Sequence, residues 1–124
     1  MKKILFVCVE NSCRSQIAEA ITNSLYSEKF QAWSAGSSPS SEVNPRSLKS
    51  LEEVGIKHNG NPQPISDFFG QKFDYIVSMG CGDACPVVEG AKNLEWNIPD
   101  PKDSQMQDFN KVRDLIHDEI RRLD

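Results

Sequence analysis

The most informative absence from this sequence of 124 residues is that of any long apolar run. No stretch approaches the roughly 20 apolar residues that a helix needs to cross a bilayer, so no membrane span is expected. Basic residues do not dominate either: the formal net charge is −4, which argues against nucleic acid and anionic membranes as partners. Repeats, low-complexity segments and linkers are also lacking. Residues 1–124 are therefore predicted to form a single domain.

Histidine is scarce as well, with only two residues of this type. His58 lies in a predicted turn and His117 on the predicted last helix, so neither indicates a cysteine–histidine dyad, and both are expected to be solvated surface residues.

The first apolar run stops at Val9 without a cleavage site, so we predict no signal peptide and a cytoplasmic location. In that reducing compartment, the four cysteines are interpreted as catalytic or metal-binding groups rather than as structural disulfides.

What the sequence does contain is a regular alternation of strand and helix patterns. Short apolar runs indicate strands, and apolar residues at helical spacing indicate helices whose buried faces include Leu25 and Val54. Strands that alternate with helices predict an α/β domain with parallel strands and right-handed crossovers. The predicted strands are 3–9, 30–35, 73–79 and 92–96; the predicted helices are 14–26, 105–123 and one from Pro45 to a stop at Gly55.

The turn between the first strand and the first helix carries the strongest functional signal. Its backbone N–H groups and the N-terminus of the following helix favour a bound anion. Arg14 can add a bidentate guanidinium clamp on a tetrahedral oxyanion. The same positive potential favours the thiolate form of Cys8, which makes Cys8 a nucleophile at the base of an oxyanion site. The residues predicted to bind the oxyanion are Glu10, Asn11, Ser12, Cys13 and Arg14.

The residues of this turn also have other interpretations. Cys8 taken alone would be a buried apolar residue at the end of a strand, but the Cys-x5-Arg-Ser pattern between a strand and a helix favours catalysis. Cys13 is interpreted as a packing or spectator thiol rather than as a second nucleophile. Glu10 places an acid inside the loop, and its side chain must point to solvent because it would otherwise repel the substrate.

Two further cysteines, Cys81 and Cys85, lie four residues apart after the predicted third strand. Such a pair can form a disulfide if the two Cα atoms come within roughly 7 Å, and Gly80 and Gly82 give Cys81 unusual backbone freedom. The alternatives are inert packed thiols and a zinc site built from all four cysteines. Zinc is disfavoured because it would occupy the nucleophile, and no metal is predicted.

Asp100 is the candidate acid. Pro99 and Pro101 stiffen its segment and limit where the carboxylate can point. Asp100 follows the predicted fourth strand, as Cys8 follows the first and Cys81 the third, and sites in parallel sheets form at the carboxyl ends of strands. The three side chains are therefore expected to share one rim, where a carboxylate can protonate a leaving oxygen. The alternative is an ordinary turn aspartate.

These motifs together resemble those of arsenate reductases built on the low-molecular-weight protein tyrosine phosphatase fold. The resemblance covers nearly the whole chain and implies a single three-layer domain, in which a four-stranded parallel sheet has helices on both faces. The segments that carry it are Phe6-Val7-Cys8, Asn11-Ser12-Cys13-Arg14-Ser15-Gln16, Ala18-Glu19, Ser34-Ala35-Gly36, Asn44-Pro45, Glu53-Val54-Gly55-Ile56, Gly82-Asp83-Ala84-Cys85-Pro86 and Asp100-Pro101.

The resemblance also implies a role for each residue near the loop. Cys8 is the implied nucleophile, Arg14 the oxyanion clamp and Asp100 the general acid. Ser15 would hydrogen-bond the Cys8 thiolate, and Asn11 would hold the shape of the loop.

The resemblance extends to a redox relay and to a possible cation. Cys81 and Cys85 fall where thioredoxin-coupled members carry their relay cysteines, although the two lie closer together here. Some members bind potassium beside the loop, but Gln63 stands where a carboxylate is expected, so potassium is not predicted. The residues that match this cation site are Asn11, Glu19 and Ser34.

The implied reaction is the reduction of arsenate to arsenite, which needs the two electrons that one disulfide supplies. Cys8 attacks arsenate while Asp100 protonates the departing oxygen. Cys81 then attacks Cys8, arsenite leaves, and Cys85 attacks Cys81. The implied partners are arsenate, with phosphate or sulfate as other anions for the loop, and a thioredoxin-like reductant or a small thiol. No cofactor is implied, and a monomer is expected.

Two other functions stay open at this point. A protein tyrosine phosphatase would use Cys8, Arg14 and Asp100 to hydrolyse phosphate monoesters. However, Lys102 follows Asp100-Pro101, and no aromatic cluster nearby indicates a phosphotyrosine slot. A zinc-binding or redox-sensing thiol module would need no turnover at all. The additional cysteines favour a reductase because a phosphatase requires none of them.

Overall fold

The computed structural model describes residues 1–80 and 90–123. Cys81 and Cys85, for which the sequence predicts a disulfide relay, lie outside the described residues.

A four-stranded parallel sheet forms the centre of the domain. Its strands are β1 (Lys2–Cys8), β2 (Phe30–Gly36), β3 (Tyr75–Ser78) and β4 (Lys92–Glu95). The spatial order is β2-β1-β3-β4, and every pair of neighbours is parallel. β1 therefore lies between two strands, and residues 4–8 are buried, as expected for an uninterrupted apolar run in a parallel sheet. All four predicted strands are confirmed, with ends that differ by no more than two residues.

Within the described residues, three α-helices pack against one face of this sheet: α1 (Arg14–Leu25), α2 (Pro45–Glu52) and α3 (Met106–Arg121). α2 begins where the sequence predicts, because the Asn44 side chain accepts a hydrogen bond of 2.9 Å from the Arg46 N–H. The predicted burial of Leu25 and Val54 is wrong, since they are 52% and 49% exposed. Leu25 is the last residue of α1, and Val54 lies beyond the end of α2, where helical spacing no longer determines burial.

Side chains of β1 alternate between two apolar clusters, as the pleat of a strand requires. Phe6 and Cys8 belong to the cluster beneath the three α-helices. Leu5 and Val7 point to the opposite face, which is covered within the described residues by a short 3-10 helix, Ile65–Phe68, that the sequence analysis did not predict. Among residues 1–80 and 90–123, no helix combines the length and the apolar character that a membrane span requires.

Candidate active site

The loop that joins β1 to α1 is shaped by Asn11. This residue is fully buried and has a φ of 53°, a left-handed conformation that asparagine tolerates better than most residues. Its Nδ2 donates to Ser15 Oγ at 2.7 Å. Its Oδ1 accepts from the backbone N–H of Gln63 at 2.8 Å and from Gln16 Nε2 at 3.2 Å. Asn11 therefore joins the loop to the first turn of α1 and to the segment that precedes the 3-10 helix.

The end of β2 packs against the same loop. Gly36 lies opposite Cys8 in the sheet, and a Cβ atom added to Gly36 would come within 2.6 Å of the Val9 carbonyl oxygen and 2.9 Å of the Asn11 nitrogen. The backbone N–H of Ser38 donates to that Val9 carbonyl at 2.8 Å. Only glycine allows this close approach of the two chain segments without displacing the loop.

Cys8 lies at the end of β1, is 3% exposed, and has its Sγ 2.8 Å from Ser15 Oγ. The direction of that hydrogen bond follows from its neighbours. Asn11 Nδ2 can only donate, so Ser15 Oγ accepts from Asn11 and has its own hydrogen available for Cys8 Sγ. A hydroxyl that donates to sulfur stabilises the thiolate more than the neutral thiol.

Arg14 is the first residue of α1 and is 7% exposed. Its Nη1 donates to the Ile98 carbonyl at 3.1 Å, and its Nη2 lies 3.6 Å from Asp100 Oδ2. Gly80 leaves room for the guanidinium, because a Cβ atom there would collide with Nη1. Arg14 and Asp100 therefore meet at the carboxyl edge of the sheet, next to the loop that starts at Cys8. The Asp100 side chain is 47% exposed, which leaves it accessible to a bound anion.

Cys13 has a different environment from Cys8. It is 4% exposed, and its Sγ is 3.7 Å from Ser12 Oγ. Burial raises the pKa of the Cys13 thiol, and the hydrogen bond with Ser12 lowers it by less. Cys13 is therefore held as a neutral thiol, which is a poor nucleophile.

Glu10 does not simply point to solvent, as the sequence analysis expected. Its side chain is 30% exposed, and Oε2 lies 2.6 Å from Lys102 Nζ. The acid inside the predicted anion loop is therefore paired with a cation from the segment that carries Asp100.

A buried polar network behind the loop was missed by sequence reasoning. The expectation that His58 is a solvated surface residue is wrong, because its side chain is 9% exposed. His58 Nε2 lies 2.7 Å from Gln16 Oε1, which can only accept, so the ring proton is on Nε2. Gln16 donates in turn to Asn11 Oδ1. Hydrogen bonds thus run from His58 through Gln16, Asn11 and Ser15 to Cys8.

Burial favours the neutral form of His58 and of its neighbour Glu19. It lowers the pKa of His58, and it raises the pKa of Glu19 against the opposing effect of hydrogen bonds from Ser34. His58 Nε2 lies 3.9 Å from Glu19 Oε2. No sequence pattern marks His58 for burial, since it lies in a polar turn whose packing depends on contacts with α1. His117 is half-buried and bonds Tyr26 Oη at 3.0 Å.

The side chains that match a potassium site already take part in hydrogen bonds. Ser34 Oγ donates to Glu19 Oε1 at 2.7 Å, and Asn11 Oδ1 already accepts two N–H groups. Gln63 takes part through its backbone N–H, a donor rather than a ligand. These residues therefore do not fit a potassium ion. Within the described residues, no three side chains of histidine, cysteine, aspartate or glutamate converge as metal ligands.

The fold and this loop define a class of protein. The low molecular weight phosphotyrosine protein phosphatase family matches residues 3–124. The chain belongs to this family and, within it, groups with the arsenate reductases. The glutaredoxin arsenate reductase of Synechocystis sp. is 35% identical over 127 residues, covering 99% of this chain and 96% of the relative. Arsenate reductase 2 of Staphylococcus saprophyticus is 33% identical, covering 98% of this chain and 95% of the relative.

Solved structures show the same similarity. An arsenate reductase in the phosphate binding state superposes with a TM-score of 0.88 at 31% identity, covering 99% of this chain and 96% of the other. The thioredoxin-dependent arsenate reductase of Corynebacterium glutamicum has a TM-score of 0.84 at 35% identity, covering 99% of this chain and 60% of the other. The four-stranded parallel fold predicted from the sequence is thereby confirmed.

Proposed function

We propose that this protein reduces arsenate to arsenite with Cys8 as the nucleophile. The observation that carries the proposal is the hydrogen bond of 2.8 Å between Cys8 Sγ and Ser15 Oγ at the base of the anion loop. This contact stabilises a thiolate below the place where the loop N–H groups and Arg14 hold an oxyanion. Arsenate is the favoured oxyanion because the chain groups with arsenate reductases.

Arg14 and Asp100 are proposed to act together. In the structure, Asp100 Oδ2 lies 3.6 Å from Arg14 Nη2. An arriving oxyanion would take Arg14 as its bidentate partner and leave the Asp100 carboxyl free to protonate the departing oxygen. That oxygen leaves as water while sulfur binds arsenic, which remains pentavalent at this step.

The two electrons are proposed to come from a pair of thiols. Cys81 attacks Cys8 Sγ, the sulfur–sulfur bond forms, and the electron pair of the sulfur–arsenic bond passes to arsenic, which leaves as arsenite. Cys85 then attacks Cys81 and frees Cys8. The support for Cys81 and Cys85 is their sequence position and the resemblance, because both lie outside the described residues.

The final disulfide requires an external reductant, for which we propose a thioredoxin-like dithiol protein in the cytoplasm. Two reductants are suggested by the names of similar proteins: one is called a glutaredoxin arsenate reductase and another a thioredoxin-dependent arsenate reductase. The two reductants are distinguished by adding each one separately to the purified protein and arsenate: thioredoxin in one assay, glutaredoxin with glutathione in the other. Turnover with thioredoxin alone supports the proposal, whereas turnover with glutathione and glutaredoxin alone assigns the small-thiol route.

A phosphatase is the second candidate, because Cys8, Arg14 and Asp100 suffice for phosphate monoester hydrolysis and the family includes phosphotyrosine phosphatases. The deciding experiment compares arsenite production with hydrolysis of an aryl phosphate by the same reduced preparation. Arsenate turnover that greatly exceeds aryl phosphate turnover supports the reductase. The opposite ratio, or no arsenite at all, rejects it.

A further inference from the structure

Glu10 brings a negative charge into a loop that must bind an oxyanion, and the structure shows how that charge is compensated. Glu10 Oε2 lies 2.6 Å from Lys102 Nζ. Hydrogen bonding and charge attraction from Glu10 raise the pKa of Lys102, so the amine is fully cationic at neutral pH. The pair lies at the rim, with the Glu10 and Lys102 side chains 30% and 47% exposed.

Lys102 has a second connection, to the candidate general acid. Its backbone N–H donates to Asp100 Oδ1 at 3.1 Å, while Asp100 Oδ2 faces Arg14 Nη2 at 3.6 Å. The two oxygens of Asp100 are thus oriented by separate groups, one from α1 and one from Lys102. The side chain of Lys102 in turn ties this segment to the anion loop through Glu10.

We propose that Lys102, held by Glu10, is a positioning residue that keeps Asp100 above the anion loop and masks the carboxylate of Glu10 from the substrate. The proposal rests on the oxyanion chemistry proposed for this site. It assigns a role to Glu10, the acid inside the loop, and to Lys102, the lysine two positions after Asp100.

Two separable effects follow from this geometry. Removing the Lys102 amine leaves the Glu10 carboxylate unpaired beside the oxyanion and weakens anion binding by charge repulsion. Removing either partner frees the Asp100 segment and slows the protonation step. Exposed ion pairs contribute little to folding stability, so neither change should alter unfolding appreciably.

The test combines phosphate binding by calorimetry at low salt with steady-state arsenate turnover. Lys102→Met should weaken phosphate binding roughly five- to tenfold because it leaves the Glu10 carboxylate unpaired, whereas Glu10→Gln leaves the Lys102 amine unpaired and should strengthen binding rather than weaken it. The double variant Glu10→Gln/Lys102→Met should bind phosphate nearly as the parent protein does. Lys111→Met, which removes an exposed charge on α3, is the matched control and should change neither quantity.

Turnover should follow a different pattern from binding. Lys102→Met, Glu10→Gln and the double variant should each lower kcat for arsenate about three- to tenfold, whereas Lys102→Arg should retain most of it. The double variant should thus bind phosphate like the parent protein but keep a lowered kcat. A pair with only a structural role would not separate the two quantities in this way.

Equal effects of Lys102→Met and Lys111→Met on phosphate binding would overturn the masking role, and a kcat unchanged in all Glu10 and Lys102 variants would overturn the positioning role. The binding measurement needs no redox chemistry. If the parent protein binds phosphate but produces no arsenite, the proposed reductase function fails while the masking role is still decided.

Discussion

The substitution Ser15→Ala tests the contact on which Cys8, the proposed nucleophile, depends. Ser15 is fully buried, and its hydroxyl stands between Asn11 Nδ2 at 2.7 Å and Cys8 Sγ at 2.8 Å. Alanine removes the donor to sulfur and leaves the Asn11 amide without its partner, while the helix backbone at this position is unchanged. We therefore expect both a less reactive Cys8 and a less stable protein.

The size of each effect follows from the burial of the contact. A hydrogen bond to a charged group contributes about 1.5–3 kcal/mol. Since about 1.4 kcal/mol is a factor of ten, the reactivity of Cys8 at neutral pH should fall roughly 10- to 100-fold. The orphaned Asn11 donor should cost about 1–3 kcal/mol in the free energy of unfolding.

Site-resolved alkylation provides the assay. The reduced protein is treated with iodoacetamide at neutral pH, and the rate at Cys8 is followed by peptide mapping so that the other three cysteines do not interfere. Ser50→Ala is the matched control, since Ser50 is a fully buried serine of α2 whose hydroxyl donates to Asn110 Oδ1 of α3 at 2.7 Å. It should lose stability but keep the alkylation rate. An unchanged Cys8 rate in Ser15→Ala would refute the reasoning.

Three further predictions concern the same site. Cys8→Ser should abolish arsenate reduction, because a serine hydroxyl is not ionised there, whereas Cys13→Ser should retain most of it; equal loss in both would reverse the assignment within the loop. Asp100→Asn should lower the rate roughly 10²–10⁴-fold for a leaving group that needs a proton, and less for aryl phosphates with acidic leaving groups; an equal loss for all would indicate a structural role. Burial lowers the pKa of His58 from 6.5, so the unfolded chain binds more protons than the folded one as pH falls. In urea unfolding, the parent should therefore lose stability relative to His58→Gln below about pH 6.5, by at most ~1.4 kcal/mol per pH unit, and a difference independent of pH would contradict this.

The sheet and the turn between β1 and α1 were predictable because their signals are local. β1 and β3 are short runs of mostly buried apolar residues, as a parallel sheet with both faces covered requires. β4, at the edge of the sheet, has a single apolar residue, Leu94, and is largely exposed. The loop is contiguous in sequence, so Cys8 and Arg14 can be located without knowing the fold. The short 3-10 helix could not be predicted in this way, because it depends on apolar contacts across the second face of the sheet rather than on a periodic pattern.

The supporting contacts of the site are long-range, and the sequence does not show them. His58 is 42 positions from Gln16, and Lys102 is far from Glu10 in the chain, so no local pattern relates either pair. Both pairs form only once the fold brings segments that are distant in the sequence next to each other. The roles of Cys81 and Cys85 stay predictions, since they lie outside the described residues.

Stoichiometric reduction of arsenate in the absence of any external reductant tests the central claim most directly. The fully reduced protein is mixed with arsenate, arsenite is quantified, and the disulfides are identified by peptide mapping. Because one disulfide supplies the two electrons, we predict about one arsenite per chain, a disulfide between Cys81 and Cys85, and a free Cys8. A protein that releases no arsenite, or that produces it with Cys81 and Cys85 both still reduced, would contradict the account.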